Sequence, residues 1–328
     1  MVLADPRYWI WNGSFHDFDR ANEAVRGFGL SWLQLDRGAT ELRFQQIGSP
    51  NVLLSRLSVT RKYHQQGVVP EGTWTFAVIG RNAPNLEWHG DECTASHIFL
   101  YPRHDEYQLV THPGNHGDVI SVSDELIRST AELLGLPDPA DVLPGGMAFL
   151  EVGSSRTERI RRTLSQLHFA AHARRSTTGA VAAWTRFEND LVAELLAAVL
   201  VSPVESQSMS APWKRNRALH RAVDFIKGHA EEAPSIAEVC RAAGSSWRTL
   251  DYTFRERFGV TPKQYLQAVR LQSVRGQLSI PGGATVVSEA AAACGFWHMG
   301  RFAAEYRSFF GELPSETLQR RVGRTPAD

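Results

Sequence analysis

Only three cysteines occur in 328 residues, Cys93, Cys240 and Cys294, and no C-x-x-C joins them. Neither a disulfide framework nor a structural zinc is signalled. No run of about 18 apolar residues is present, which excludes a hydrophobic membrane span. Met1 to Trp11 carries Asp5 and Pro6 where a signal peptide needs a basic start and an apolar run, so a cytoplasmic location is expected. P-loop, G-x-S-x-G and H-E-x-x-H patterns are all missing. The chain therefore offers no catalytic set, and neither an enzyme nor a bound cofactor is expected.

What is there is an ordinary globular composition with an uneven charge. Hydrophobic content is 43% and charged content 21%, enough for a sizeable core, and the length suits two domains. The net charge of zero conceals an asymmetry. Residues 1–211 hold 18 basic against 24 acidic side chains, a net −6, and residues 212–328 hold 17 against 11, a net +6. A basic segment beside an acidic remainder suits a phosphate-binding module attached to something that does not bind phosphate.

From roughly Glu41 to Ser121 the sequence predicts short strands, among them Glu41–Gln46, Val52–Val59, Thr73–Ile79, His97–Tyr101 and Asp118–Val122. Turn clusters such as Gly48-Ser49-Pro50-Asn51 and Pro70-Glu71-Gly72 separate them. Strands at this spacing favour a small antiparallel barrel or sandwich. Six of the twelve histidines (His64, His89, His97, His104, His112 and His116) fall here, but no H-x-H pair exists to start a metal site, so no metal is expected. Trp74, Phe76, Trp88, Phe99 and Tyr101 read as core, with an aromatic cage for a cationic ligand as the alternative. Cys93, in the polar Gly90-Asp91-Glu92 context, is the one candidate for a reactive thiol; Cys240 and Cys294 read as small buried groups.

Helix follows. Ser123–Leu134 has a cap and an acidic first turn, and Ser155 with Glu158 has the spacing of a capping box. Ile160, Leu164 and Leu167 form one stripe; Phe187, Leu191, Leu195 and Val199 form a second. Such a pair buries its stripes against its own strands or against a second subunit, and sequence leaves both open. Residues 202–212 are Ser-rich and flanked by prolines, the composition of a linker.

Beyond it the pattern tightens. Trp213–Gly228 is amphipathic, with Leu219, Val223 and Ile226 on one side. Ser235 and Glu238 make a capping box for a short helix of Ile236, Val239, Cys240 and Ala243, which Gly244 ends. Ser246 then caps a helix that buries Leu250, Phe254 and Phe258 and stops at Gly259. Two short helices joined at a glycine, the second bearing arginines, have the form of a helix-turn-helix. Its outward face would carry Trp247, Arg248, Asp251, Tyr252 and Arg255. Arginine can donate twice to a guanine edge, whereas Tyr252 and Arg255 could equally hold phosphates. Asp251 repels phosphate unless it accepts from a cytosine amine.

Thr261-Pro262 opens a longer helix, and the pattern repeats: a short Ala-rich helix over Val286–Cys294, a glycine at 295, and a second candidate recognition helix within Phe296–Phe310, closed by Gly311. Gly244 pairs with Gly295, Phe258-Gly259 with Phe310-Gly311, and Pro262 with Pro314. Two such units on one linking helix would address major-groove segments about 34 Å apart.

The doubled unit resembles the AraC/XylS family of bacterial transcription regulators over about the last hundred residues. Ser235-Ile236-Ala237-Glu238-Val239-Cys240, Gly244-x-Ser246, Leu250-x-x-x-Phe254-Arg255, Phe258-Gly259-Val260-Thr261-Pro262 and Arg270-Leu271 carry the likeness, with Ala293-Cys294-Gly295-Phe296, Phe302, Tyr306-Arg307, Phe310-Gly311 and Pro314-Ser315 in the second copy. The run from Gly295 to Phe302 is most similar to the branch containing ethanolamine-utilisation regulators. Base-reading positions implied by the resemblance are Arg248, Asp251 and Tyr252, then residues near Met299, Gly300 and Arg301. Ser246, Trp247, Arg255, Trp297 and His298 complete the implied interface. Gly300 departs from the family in offering no side chain to a base. The resemblance further implies an α+β chain: a cupin-like antiparallel β-barrel over 15–150 that takes a small effector, a helical connector over 154–201 able to dimerise, the linker 202–212, and an all-α double helix-turn-helix domain over 213–322. Promoter DNA, an effector of unspecified chemistry, RNA polymerase and a second copy of the chain are the implied partners, with no membrane, and activation is the implied role. A cupin-like metalloenzyme with a helical appendage and a non-specific architectural DNA-binding protein are the rival readings.

Overall fold

The computed structural model describes residues 8–16, 18–84, 86–88, 91–173, 178–201, 207–208, 217–279, 283–284 and 286–322. The chain divides into two compact units, the first formed by Met1–Ser31, Glu41–Thr60 and Gln66–Ser210 and the second by Trp32–Thr40, Arg61–Gln65 and Ala211–Asp328. Most of the linker expected at 202–212, the helical start at Trp213 and the Pro281-Gly282 turn lie outside the described residues, as do the surroundings of Trp88 and Cys93.

The amino-terminal half runs β1 (Trp9–Phe15), α1 (Phe18–Ala24), β2 (Gly29–Gln34), β3 (Leu42–Gly48), β4 (Val52–Val59), β5 (Tyr63–Val68), β6 (Thr73–Ile79), β7 (Leu86–Trp88), β8 (Asp91–Cys93), β9 (His97–Leu100), β10 (Tyr107–Thr111) and β11 (His116–Ser123). It continues through α2 (Asp124–Leu133), α3 (Pro139–Val142), β12 (Ala148–Glu151), α4 (Ser154–Ala173), α5 (Thr178–Val201) and β13 (Gln207–Ser208). The main sheet has the order β1-β3-β4-β11-β6-β9-β12-β13; β10-β5-β2 and β7-β8 form smaller sheets. Pairings in the main sheet are antiparallel, for example Phe76 opposite Ile120 and Ile120 opposite Leu54.

The expected closed barrel is corrected here. A barrel requires its first and last strands to pair, and β1 and β13 stand at opposite ends of the main sheet. The sheet instead buries one apolar face beneath helices. Leu54, Trp74, Phe76, Ile120 and Val122 share a core with Ile127 and Ala131 of α2, Ile160, Leu164 and Leu167 of α4, and Leu191, Leu195 and Val199 of α5. Both helical stripes are therefore spent on the chain's own sheet. Trp74 lies in this core with the Arg103 guanidinium 4.3 Å from its ring centroid, and Phe99 and Tyr101 belong to a second buried cluster with Tyr107 and Phe149.

One buried polar group bridges sheet and helix. Asp118 on β11 accepts from Arg56 Nε and Nη2 on β4, at 2.9 and 3.0 Å, and from His168 Nε2 on α4 at 2.9 Å. A second correction concerns α4. It begins at Ser154, one residue before the expected cap, and the Glu158 carboxylate is taken by Arg81 rather than by the Ser155 amide.

In the second unit lie α6 (Arg217–Gly228), α7 (Ile236–Ala243), α8 (Trp247–Phe258), α9 (Pro262–Ser279), α10 (Val287–Ala293), α11 (Met299–Phe310) and α12 (Pro314–Val322). Ser235 and Glu238 cap α7 reciprocally, as a capping box should. Leu219, Val223 and Ile226 of α6, Val239 and Ala243 of α7, and Leu250, Phe254 and Phe258 of α8 are buried together with Tyr265 and Leu271 of α9. Cys294 is buried, while Cys240 is half-buried. Within the same unit His64 Nδ1 lies 2.7 Å from the Tyr265 hydroxyl, and Gln34 Nε2 donates to the Phe309 carbonyl at 2.9 Å. Among the described residues no helix is long and apolar enough to cross a membrane.

Candidate nucleic-acid interface

Each helix pair is set by a glycine that only a left-handed backbone satisfies. Gly244, at φ 61°, donates from its amide to the carbonyls of Arg241 and Cys240 and ends α7. Gly295, at φ 74°, turns the chain after α10. A Cβ at Gly295 would stand 2.3 Å from the Cβ of Ala233, so this site excludes a side chain on two counts.

An arginine from the preceding long helix seals each turn. Arg221 of α6 donates from Nε and Nη2 to the Ala243 carbonyl, at 3.1 and 2.6 Å. Arg270 of α9 donates from Nε to the Cys294 carbonyl at 2.6 Å and stacks 4.5 Å from the Phe296 ring centroid. The last carbonyls of a helix have no partner inside it and carry partial negative charge, so a guanidinium is well matched there. Sequence reading missed this role: Arg270 stood out only as part of a motif, and Arg221 not at all. The presence of an arginine within each leading helix was the available signal.

The two candidate recognition helices are built alike. Both α8 and α11 have 12 residues, and each ends on Phe-Gly, with Gly259 at φ 66° and Gly311 at φ 79°. Their C-cap amides donate to Arg255 and Arg307 carbonyls respectively. Leu250, Phe254 and Phe258 are buried in α8; Phe302, Tyr306 and Phe310 occupy the matching positions of α11.

On α8 the side chains named from sequence share an open surface. Ser246 is the N-cap and accepts from the Thr249 amide at 3.2 Å. Arg248 and Arg255 are exposed, and Trp247 and Tyr252 keep 45% and 66% of their surface in solvent, an uncommon state for large aromatics with no partner to cover them. Asp251 is half-buried and accepts from Arg255 Nε at 2.9 Å, one turn along the helix. The carboxylate thus orients a guanidinium rather than standing bare, which resolves the difficulty raised by its sign.

On α11 the picture differs. His298 is an exposed N-cap whose side chain makes no capping bond, Trp297 before it is 76% exposed, Met299 is half-buried and Arg301 is exposed. Aligned on cores and C-caps, Gly300, Ala303 and Ala304 stand where α8 has Arg248, Asp251 and Tyr252, and Arg307 stands where α8 has Arg255. The resemblance to the family placed the second set near Met299, Gly300 and Arg301. The turn after Gly295 is one residue longer than that after Gly244, which moves the register.

Comparison with known proteins agrees with this construction. A family model described as a helix-turn-helix domain matches residues 239–320. XylDLEGF operon transcriptional activator 1 of Pseudomonas putida is 39% identical over 132 residues, which are 40% of this chain and 39% of that protein. A probable thc operon regulatory protein of Rhodococcus erythropolis is 40% identical over 99 residues, 30% of each chain. The crystal structure of a probable AraC family transcriptional regulator from Rhodopseudomonas palustris is 36% identical, with a TM-score of 0.30, covering 32% of this chain and 96% of that one. The chain thus spans about two fifths of the first of these relatives, and the family model's match falls within the helical second unit.

Proposed function

We propose that the chain belongs, through its carboxy-terminal domain, to the AraC/XylS family of transcription regulators and is a sequence-specific activator of transcription that responds to a small effector. The observation that carries this reading is the exposed face of α8. There Arg248, Tyr252 and an Arg255 oriented by Asp251 stand outside a core closed by Leu250, Phe254 and Phe258. Recognition helices lay such a face in the major groove, where arginine donates twice to guanine O6 and N7.

In this reading the amino-terminal sheet is a cupin-like sensor and α4 and α5 are its connector. An effector acts by binding one arrangement of the sensor more tightly than another, since equal affinity for both would shift nothing. The segments reading as sensor over 15–150, connector over 154–201 and DNA-binding domain over 213–322 divide these tasks, and the active form touches RNA polymerase from promoter DNA, singly or as a homodimer.

Selection of binding sites from random duplexes by the full-length chain tests the proposal. A preferred site should be favoured over random sequence by about 10³-fold or more at physiological salt. Arg248→Ala should relax preference at one position at a cost of about 1–3 kcal/mol. A chain that holds every duplex equally, with one steep salt dependence common to all, would be an architectural protein and not a regulator of this kind.

A further inference from the structure

The two recognition helices are equal in length, core and termini and unequal on the surface they offer. Arg248, Asp251, Tyr252 and Arg255 recur at i, i+3, i+4 and i+7 and so share one face of α8. The matching face of α11 carries Gly300, Ala303, Ala304 and Arg307. None of the first three presents a side-chain donor or acceptor, and the one backbone donor among them that the helix leaves open is the Gly300 amide in its first turn. Gly300 is exposed, and a Cβ built on it meets nothing within 4 Å, so the fold does not require a glycine there. Charge has moved to the rim: Arg301, Arg307 and His298 are exposed around the bare patch, and Trp297 projects beside it.

Resting on the reading of the chain as a DNA-binding regulator, we infer that sequence choice is divided unequally: α8 selects bases by hydrogen bonding, and α11 grips the sugar-phosphate backbone of the next major-groove segment with no hydrogen-bonded base readout. Helix-turn-helix domains read bases with the amino-terminal part of the recognition helix, and in α11 the outward positions there that match Arg248, Asp251 and Tyr252 are held by Gly300, Ala303 and Ala304. The remaining base contact open to this face is that of an alanine methyl with the thymine methyl group. Arg301 and Arg307 meet phosphates, which position a protein without specifying sequence. A helix stripped of long side chains can also lie closer to the groove floor, bringing those arginines onto the strands on either side.

Site selection by the full-length chain, read one groove segment at a time, tests this. The expected result is a motif whose guanine and cytosine preferences fall in one segment, with the neighbouring segment required for affinity and tolerant of sequence apart from thymine. Arg307→Ala and Arg301→Ala should weaken binding to all sites by a common factor and lower the salt slope by about 1 each. Gly300→Arg, which the fold has room to accept, should create a guanine preference in the tolerant segment. The inference is overturned, with the regulator reading intact, if both segments of the wild-type motif specify guanine or cytosine, or if Arg301→Ala or Arg307→Ala changes base preference. A selection that returns no motif overturns the regulator reading as well.

Discussion

Arg270 donates from Nε to the carbonyl oxygen of Cys294 across 2.6 Å, tying the end of a short helix to the long helix that leads into it. Its counterpart, Arg221, does the same for Ala243. A hydrogen bond with a charged donor contributes about 1.5–3 kcal/mol, more than a neutral one. Replacing Arg270 by methionine keeps most of the stem and removes the donors. Hydrogen exchange at the Gly295 and Phe296 amides should accelerate in Arg270→Met while the α7–α8 turn keeps its protection, and Arg221→Met should reverse that pattern. Uniform loss across both turns would deny each arginine its local role.

Gly295 and Gly300, the first in a turn and the second in the helix that follows it, should respond oppositely to a methyl group. Gly295→Ala forces a side chain onto a left-handed residue and into Ala233, and strain of this kind costs about 1–3 kcal/mol. Gly300→Ala meets open space and improves helix propensity, a gain of up to about 1 kcal/mol. Thermal unfolding of the two variants should give melting temperatures on either side of the parent. Destabilisation by Gly300→Ala would mean that the first turn of α11 is packed more closely than its geometry indicates.

Asp118 gives the amino-terminal unit a defined response to acid. Burial pushes its carboxyl upward, but hydrogen bonds from His168 and Arg56 outweigh this and hold it below the ordinary aspartate value. A carboxyl that is a stronger acid folded than unfolded contributes its full stability above about pH 4, the range of an unfolded aspartate. That contribution is lost as pH falls through the lower folded value. Asp118→Asn should therefore cost about 1–3 kcal/mol near neutrality, because it weakens the buried acceptor that holds Arg56 and His168. It should also flatten the loss of stability below pH 4. Denaturant titrations from pH 2 to 7 would check both, and an unchanged acid limb would assign the acid response elsewhere.

Cys294 should behave as an inert thiol. Burial, with Glu231 nearby adding to it, pushes the group up to about 11, so almost none is thiolate at pH 8. Iodoacetamide at that pH should modify the half-buried Cys240 first and reach Cys294 only when the domain unfolds. Peptide mapping with and without denaturant distinguishes the two, and early labelling of Cys294 would contradict its placement.

The helical unit was legible because its punctuation is local. Ser235, Glu238, Gly244, Ser246, Gly259 and Gly311 each act within four residues of themselves, and each does what its chemistry dictates. Strands β4 and β6 were legible for the same reason, being runs of branched and aromatic residues between clear turns. What escaped depends on distant partners. Whether a sheet closes is decided by which strands meet at its ends, and no single strand records that. Glu158 had the spacing of a cap, yet the guanidinium of Arg81, 77 residues away, holds it. Strand β1 was missed altogether, because Trp-Ile-Trp-Asn-Gly-Ser-Phe lacks a clean alternation and is fixed by its pairing with β3. The register of α11 needed the length of a turn, visible only once the helix ends were placed.

Phe302 and Tyr306, which seat α11 on its core, lie on the side turned away from the exposed Gly300 and Ala304, while the half-buried Ala303 stands at the edge of the bare face. Scaffold and vocabulary are thereby uncoupled. Larger side chains can be written onto Gly300 and the exposed Ala304 one at a time without repacking the interior, so a lineage built on this chain could acquire a new operator through point changes in α11 while α8 preserved its hold on the old one.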